Sequence, residues 1–453
     1  MASASSQTIE HPSLGTIKGL LVENERVEQF RGIPFGAIPG RWRDPVVLSG
    51  KLGPEVFDAT RFGPICPQGV GGQEGDVAFV GAMKLDSQNI TQSECDCLNL
   101  VISRPAGLPL DAKVPVMVCY RVGIFGFLAS KEASITGNFG LKDQICAFQW
   151  VKQHIEGFGG CPDSVTAFGE SAGANALLRE NLTDLGLDTS DLLQAVDKLR
   201  ALTVEEIIQA IPFIQHWSPT LDDAFFTGLR ESDFFIDNTW CNAVMIGEMA
   251  QDGTILQSRY LDDPKALEKT KLAAEDLLGD DLSRQIIVAY ELDNADPYPG
   301  MLKLISELRF YLPVLAAAKG LRFPEGVQVK EYHMHQLINQ TRQTNPFNGA
   351  YHGLASHVLD LGYLLRNFDP WLDEQGRGFG EAMLALWVGF AYGEDKGRNE
   401  VLALGPDHEV VYIGPEDYNQ RYRQGRVELL LEIGLSKAVA LGERLQGVVH
   451  PEL

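Results

Sequence analysis

Alternating apolar and polar positions predict strands in the first third of the chain. Residues 14–22 and 27–35 are two such runs with a turn between them, and residues 98–104 and 114–120 are short runs rich in β-prone side chains. Nearly continuous apolar runs are typical of strands that are buried on both faces of a sheet. We therefore expect residues 98–104 and 114–120 to be central strands.

The apolar spacing changes to a helical period after Gly137. Leu141, Ile145, Phe148 and Val151 recur every three or four residues with polar side chains between them, and a cluster of glycines before a proline marks the end of this helix. A short β-prone run, residues 164–168, follows. Strand and helix therefore alternate in this part of the chain.

Further elements follow the same alternation toward the C-terminus. The pattern predicts strands at residues 243–246 and 327–335, a helix-rich stretch at residues 263–323, and two closing helices that begin near residues 380 and 423. This order favours an α/β fold with a mostly parallel central sheet and helices on both faces. No internal repeat or linker is visible, so residues 1–453 are predicted to form a single domain.

Composition and charge narrow the class of protein. Apolar residues make up 45% of the chain, which is enough for a large core, and the net charge of −23 opposes binding to nucleic acid or an anionic membrane. The first residues lack the features of a signal peptide, and no apolar stretch has membrane-spanning length. We expect a cytoplasmic protein.

Cysteine and histidine spacing indicates neither a disulfide scaffold nor a metal site. The seven cysteines are few and odd in number, and none has a zinc-ligand spacing. His333 and His335 share a strand face, but a pair without a third ligand is more typical of a structural role. No metal or cofactor is predicted.

The chemistry is expected at Gly169-Glu170-Ser171-Ala172-Gly173, between a predicted strand and a helix-compatible run. A serine between two glycines at such a junction is typical of a nucleophile elbow, where the backbone turns too tightly for side chains two residues away. This geometry presents the Ser171 hydroxyl at the end of a strand. It also turns the Ala172 N–H toward a substrate oxyanion.

A serine nucleophile needs a histidine to take its proton and a carboxylate to orient that histidine. On a parallel sheet these partners follow later strands in the order serine, acid, histidine. Asp252 follows the predicted strand at residues 243–246, and His357 lies in the loop after the strand at residues 327–335. The pattern therefore predicts Ser171, Asp252 and His357 as a catalytic triad.

Several blocks resemble the type-B carboxylesterases and lipases, a family of α/β-hydrolases. The similar blocks are residues 32–35 (GIPF), 93–100 (SECDCLNL), 120–129 (YRVGIFGFLA), 137–144 (GNFGLKDQ) and 169–173 (GESAG). Weaker similarity continues to the end of the chain. The resemblance implies the α/β-hydrolase fold, hydrolysis of a small-molecule ester and no cofactor.

The resemblance also assigns roles. The family's acid occupies a G-x-x-x-x-E-G pattern, and residues 247–253 fit it with Asp252 in place of the usual glutamate; Glu248 is the alternative acid. The family's histidine precedes an acidic residue by three positions, which fits His357 and Asp360 better than the alternative His352. Cys66 and Cys97 stand where the family often forms a disulfide. A cytosolic location would keep these two thiols reduced.

Two departures from the family pattern stand out. The strand ending in H-G-G-G, whose glycine N–H groups supply most of the oxyanion hole, is absent, since residues 113–118 run directly into Tyr120. A second gap follows the elbow, where residues 175–180 run directly into Asn181. We therefore expect one or two central strands to be missing and the oxyanion hole to be weakened, because one lost donor costs about 10²–10³ in rate.

The sequence thus predicts a serine carboxylic-ester hydrolase that forms an acyl-enzyme at Ser171. Two alternatives stay open at this point. One is a catalytically impaired esterase-like binding protein, favoured by the missing glycine loop. The other is a thioesterase or transacylase on the same triad, since pocket shape decides which acceptor the acyl group meets.

Overall fold

The computed structural model describes residues 5–69, 91–109, 116–118, 121, 123–129, 135–167, 198–210, 242–319, 326–337, 353–394 and 400–446. These residues fall into two units, an N-terminal unit that reaches residue 210 and a C-terminal unit that begins at residue 242. Each unit has its own core. The prediction of a single domain over residues 1–453 stays a prediction.

The N-terminal unit contains a largely antiparallel sheet. Its strands follow the order β1-β2-β3-β7-β8, β6 pairs with β2 in parallel, and β4 and β5 form a separate pair. The bounds are β1 (Ser6–His11), β2 (Gly15–Val22), β3 (Val27–Pro34), β4 (Gly36–Ala37), β5 (Val46–Val47), β6 (Val56–Asp58), β7 (Asn99–Pro105) and β8 (Val116–Val118). The strands predicted at residues 14–22, 27–35 and 98–104 are confirmed. Of the strand predicted at residues 114–120, the described part, residues 116–118, is a strand whose described partner is β7.

Helices of the N-terminal unit are α1 (Gly123–Phe127), α2 (Phe139–His154) with a 3₁₀ turn at Ile155–Phe158, and α3 (Val204–Ala210). The helix predicted after residue 137 is confirmed as α2, but two of the apolar residues that define its spacing are exposed. Ile145 and Phe148 are 46% and 38% exposed, whereas Trp150 is fully buried. A buried ion pair between Arg121 and Asp143 orients α2 so that the face carrying Asp143 packs inward.

Residues 164–167, at the start of the predicted strand before Ser171, are irregular in the structure. Strand geometry needs ladder hydrogen bonds to a neighbouring strand. Among the described strands, none pairs with this segment. The β-prone composition of the segment was therefore not enough to predict its structure.

The C-terminal unit contains a four-stranded sheet in the order β12-β11-β10-β9. Strands β9, β10 and β11 are parallel, and β12 is antiparallel to β11. The bounds are β9 (Ala243–Met249), β10 (Gln328–Met334), β11 (Val401–Leu404) and β12 (Val410–Ile413). The strands predicted at residues 243–246 and 327–335 are confirmed as β9 and β10.

Helices account for most of the remaining described residues of this unit, as the pattern predicts. They are α4 (Ala266–Leu278), α5 (Asp280–Ala289), α6 (Tyr298–Ser306), α7 (Leu312–Ala318), α8 (Leu359–Leu364), α9 (Glu374–Ala391), α10 (Pro415–Tyr418), α11 (Arg426–Ile433) and α12 (Leu435–Leu445). A 3₁₀ turn (Asp252–Leu256) and π-helical turns (Gln257–Leu261, Glu307–Tyr311, Asn419–Arg423) join some of them.

The parallel pairing of β9 and β10 positions the candidate site. Met249 and Met334 are register partners at the last positions of the two strands, and the Ala250 N–H donates to the Met334 carbonyl at 2.9 Å. The carboxyl ends of parallel strands meet at one edge of a sheet. The segments that follow β9 and β10 therefore begin side by side.

Candidate active site

Asp252 and His357 are brought together at the edge where β9 and β10 end. The His357 Nδ1–H donates to Asp252 Oδ1 over 2.6 Å, and the second oxygen, Oδ2, accepts the Met249 N–H at 2.8 Å. The two side chains are 4% and 5% exposed. A buried carboxylate that holds Nδ1 leaves Nε2 as the nitrogen suited to exchange a proton with a substrate or a nucleophile.

The loop that carries His357 is held to the turn that carries Asp252 by backbone contacts. The Gln251 N–H donates to the Ala355 carbonyl at 3.0 Å, and the Ala355 N–H donates to Gln251 Oε1 at 2.8 Å. The His357 N–H donates to Thr254 Oγ1 at 3.2 Å. The relative position of Asp252 and His357 is therefore set by main-chain atoms as well as by their own hydrogen bond.

The turn that begins at Asp252 packs against α6. The Gly253 N–H donates to Ser306 Oγ at 2.9 Å, and this hydroxyl in turn donates to the Leu302 carbonyl at 2.7 Å. A Cβ atom added at Gly253 would lie 2.5 Å from Ile305 Cγ2. This close approach explains why glycine follows the acid in the sequence.

Burial dominates the electrostatics of Asp252. It raises the pKa of the Asp252 carboxyl to about 6, although the hydrogen bond from His357 acts in the opposite direction. The negative charge of Glu248 raises this pKa further. Near neutral pH the carboxylate is ionised, which is the form that orients an imidazole.

Glu248, the alternative acid, lies in a different environment. Its Oε1 atom accepts hydrogen bonds from His333 Nδ1 at 2.7 Å and from Arg423 Nη2. Burial by itself would raise the pKa of Glu248, but Arg423 and His333 lower it to about 2. The contact with His357 therefore favours Asp252 over Glu248 as the orienting acid.

The charged side chains that bond to Glu248 belong to residues that the sequence analysis did not identify as site residues. His333 lies between Glu248 and Glu331, and Arg423 reaches Glu248 from 175 positions further along the chain. The period-two alternation of β10, which places His333 and Glu331 on one face, is the signal that the sequence offers for this pair. No local signal identifies Arg423, because its partner is set by the packing of the C-terminal helices.

The remaining predicted site residues lie outside the described residues. Ser171, Ala172 and the alternative histidine His352 are among them. Their roles stay predictions. Asp252 and His357 are the predicted site residues that the structure describes.

The two cysteines at the family's disulfide position are thiols in the structure. A hydrogen bond with the Cys66 thiol and burial raise the pKa of Cys97. Both effects disfavour the thiolate, which is the reactive form. No group of three or more His, Cys, Asp or Glu placed to hold a metal ion occurs within the described ranges.

The described helices include none with the length and apolar character needed to cross a membrane.

The first 178 residues match the carboxylesterase family. The match consists of two segments, residues 5–119 and residues 116–178. The segments overlap at residues 116–119, where the sequence lacks the glycine loop, and the second segment ends at residue 178, close to the second predicted gap. The deletions themselves stay a prediction.

Curated relatives include bacterial and yeast enzymes. The chain is 25% identical to para-nitrobenzyl esterase of Bacillus subtilis (strain 168) over 462 residues, which cover 83% of this chain and 88% of that protein. It is 32% identical to Lipase 3 of Yarrowia lipolytica (strain CLIB 122 / E 150) over 221 residues, which cover 38% of this chain and 43% of the lipase. The chain thus spans less than half of the lipase that it matches. The prediction of a carboxylesterase is confirmed at the level of the family.

A solved structure of a PNB esterase is similar to this one. Its TM-score is 0.69 at 20% identity, and the match covers 92% of this chain and 99% of that chain. At this identity the likeness shows the fold, so the predicted α/β-hydrolase fold is confirmed. The chain thus has the fold of these esterases, and its residues 5–178 match the model of the carboxylesterase family.

Proposed function

We propose that this chain is a serine carboxylic-ester hydrolase that works through an acyl-enzyme. Ser171 is the nucleophile, His357 the general base and acid, and Asp252 the carboxylate that orients His357. One observation carries the proposal: the Asp252 carboxylate bonds to the buried His357 ring at 2.6 Å, at the two positions that the family motifs select. Small carboxylic esters are the proposed substrates.

In the acylation half of the reaction, His357 Nε2 removes the proton from the Ser171 hydroxyl. The serine oxygen then adds to the ester carbonyl, and the Ala172 N–H donates to the oxyanion that forms. The imidazolium returns its proton to the alcohol oxygen as the carbonyl–oxygen bond breaks. The alcohol leaves, and the acyl group stays on Ser171.

Deacylation repeats these steps with water. His357 Nε2 takes a proton from water, whose oxygen adds to the acyl carbonyl, and the imidazolium then protonates the departing Ser171 oxygen. The carboxylic acid is released and the enzyme returns to its starting state. Asp252 stays ionised throughout and stabilises the transient imidazolium.

The missing glycine loop is expected to limit the rate. Ala172 supplies the remaining predicted donor to the oxyanion. Each donor that is lost lowers kcat by about 10²–10³ fold. We therefore propose an esterase in which both acylation and deacylation are slow compared with family members that have the H-G-G-G loop.

The nucleophile is tested with a fluorophosphonate probe, which reacts with activated serines. The wild-type protein should be labelled, and the Ser171→Ala protein should not, because this substitution removes the attacking oxygen. Peptide mapping of the labelled protein should place the adduct at Ser171. Equal labelling of both proteins would contradict the assignment.

A catalytically impaired binding protein is the second candidate, and the break in the family match at residues 116–119 favours it. Turnover of p-nitrophenyl acetate separates the two functions. An esterase exceeds its own Ser171→Ala variant, whereas a binding protein gives equal rates for both. Labelling without turnover would indicate an enzyme that acylates but does not complete the reaction.

A further inference from the structure

Glu248 and His333 face each other across the two strands that lead to the candidate site. They are register partners of the parallel pair β9 and β10. His333 is fully buried, with Nδ1 at 2.7 Å from Glu248 Oε1 and Nε2 at 2.6 Å from Glu331 Oε1. Because an ionised carboxylate can only accept, both ring nitrogens donate and His333 is an imidazolium. Burial opposes this charge, but the two carboxylates raise the pKa of His333 overall.

Two arginines extend this group toward the C-terminal helices. Arg423 contacts Glu248 through Nη2 and Glu307 through Nη1, and Arg426 donates to both oxygens of Glu307 at 2.6 and 3.1 Å. We name this group the Glu248 cluster; its members are Glu248, Glu307, Glu331, His333, Arg423 and Arg426. Three carboxylates balance three cations, so the cluster is neutral as a whole. A buried group of ions is tolerated when its charges are paired in this way.

Other titratable groups face Glu248 from the elements packed around it. They are Tyr332 on β10, His335 directly after β10, Tyr311 in the turn Glu307–Tyr311, Tyr418 on α10, and Asp252. Burial lowers the pKa of His335 and raises the pKa of each of the three tyrosines, so these four side chains are neutral near pH 7. Asp252 is therefore the charged neighbour of Glu248 outside the cluster.

Three residues of backbone, 249–251, connect Glu248 to Asp252. Met249, next to Glu248, donates its N–H to Asp252 Oδ2, and Ala250 donates to the Met334 carbonyl on β10. A change in the charge of the cluster therefore acts on the Asp252–His357 pair across a short, buried and anchored path. Such a field is weakly screened, because little water lies between the groups.

We propose that the Glu248 cluster is a positioning device that sets the pH range in which the Asp252–His357 pair can act. Its cations neutralise Glu248, so that His357 responds to one carboxylate, Asp252, rather than to two. This inference rests on the proposed function. Glu248 and His333 act through Asp252 and His357 and do not contact substrate.

The proposal predicts opposite effects for its two central residues. Glu248→Gln removes a negative charge and leaves the cluster with excess positive charge. The midpoint of the acid limb, in a plot of kcat/KM against pH, should therefore shift to lower pH by about 0.5–1 unit. His333→Gln leaves excess negative charge, which favours the imidazolium of His357. The midpoint of the acid limb should then shift to higher pH by about 0.5–1 unit.

Paired variants keep the test independent of general damage to the fold. The double variant Glu248→Gln/His333→Gln is again neutral, so its acid limb should return close to the wild-type position. Glu248→Asp keeps the charge and should also keep the wild-type midpoint. If both single variants moved the midpoint in the same direction, or if the double variant were the most displaced, the cluster would have only a structural role and the proposal would be wrong.

A readout that does not depend on hydrolysis separates this inference from the proposed function. The His357 ring is titrated by NMR in the Ser171→Ala background with ¹³C-labelled histidine, and its signal is assigned by its loss in His357→Gln. Opposite midpoint shifts, together with a Ser171-containing wild-type protein that shows no esterase activity, would support the cluster and contradict the proposed function. Esterase activity with an unmoved His357 midpoint would contradict the cluster alone.

Discussion

Asp252 shows how a short carboxylate can replace the longer glutamate of the family pattern. The 3₁₀ turn begins at Asp252 itself, and the neighbouring loop is clamped by Gln251 and Thr254, so the His357 ring comes within 2.6 Å of a side chain that is one methylene shorter. The raised pKa of Asp252 shows that burying this charge opposes folding above about pH 6. The fold tolerates this cost at the position where the proposed mechanism needs a fixed carboxylate.

Replacing Asp252 should therefore damage catalysis much more than replacing Glu248. Asp252→Asn removes the charge that stabilises the His357 imidazolium and favours the wrong tautomer, so kcat for p-nitrophenyl acetate should fall by about 10³–10⁴. Glu248→Gln, measured at its own pH optimum, should lose less than about tenfold, because it acts only through the field on the pair. The exposed Asp281→Asn serves as the unchanged control. A larger loss in Glu248→Gln than in Asp252→Asn would reverse the assignment of the acid.

At the scale of elements, the turn after β9 is defined by how closely it approaches α6. Gly253 leaves room for Ile305 and for the Ser306 hydroxyl, which accepts its N–H. Gly378 in helix α9 lies in open space instead, because a Cβ atom added there would have no atom within 4 Å. One glycine therefore permits packing, and the other weakens a helix.

Alanine substitutions should separate these two glycines. Gly253→Ala places a Cβ 2.5 Å from Ile305 Cγ2, so it should lower the free energy of unfolding by about 1–3 kcal/mol and reduce kcat by displacing Asp252. Gly378→Ala should raise the free energy of unfolding by about 0.5–1 kcal/mol and leave kcat unchanged. Urea unfolding and esterase assays measure both. A neutral Gly253→Ala would mean that the turn can move away from α6 at no cost.

At the scale of the whole molecule, the net charge is −23, and several buried charged residues in the described ranges form ion pairs. In the N-terminal unit, Arg121 donates to both oxygens of Asp143 through its side chain, and both residues are at most 1% exposed. Burial raises the pKa of Asp143, and the contacts with Arg121 oppose that rise. The buried Asp143 carboxylate therefore depends on Arg121 to remain charged.

Breaking this pair should destabilise the protein strongly. Arg121→Met leaves the Asp143 carboxyl buried without its cation, so the free energy of unfolding should fall by about 3–5 kcal/mol. Arg121→Met/Asp143→Leu removes both charges and should recover most of this loss. Arg284→Met, which breaks an exposed pair with Asp281, should change stability by less than about 0.5 kcal/mol. Urea midpoints measure all three, and an Arg121→Met value as small as that of Arg284→Met would contradict the prediction.

The amino-acid sequence by itself determined the features that depend on local pattern. Alternation and helical spacing located β9, β10 and α2, and the family motifs located Asp252 and His357, because such patterns involve residues close together along the chain. Only the tertiary structure decided which face of α2 is buried and which partners Glu248 has. Those outcomes depend on Arg121, His333 and Arg423, which are distant in sequence and meet only through packing. Charge pairs between residues so far apart in sequence cannot be recognised from sequence periodicity, because either residue alone could be an ordinary surface residue.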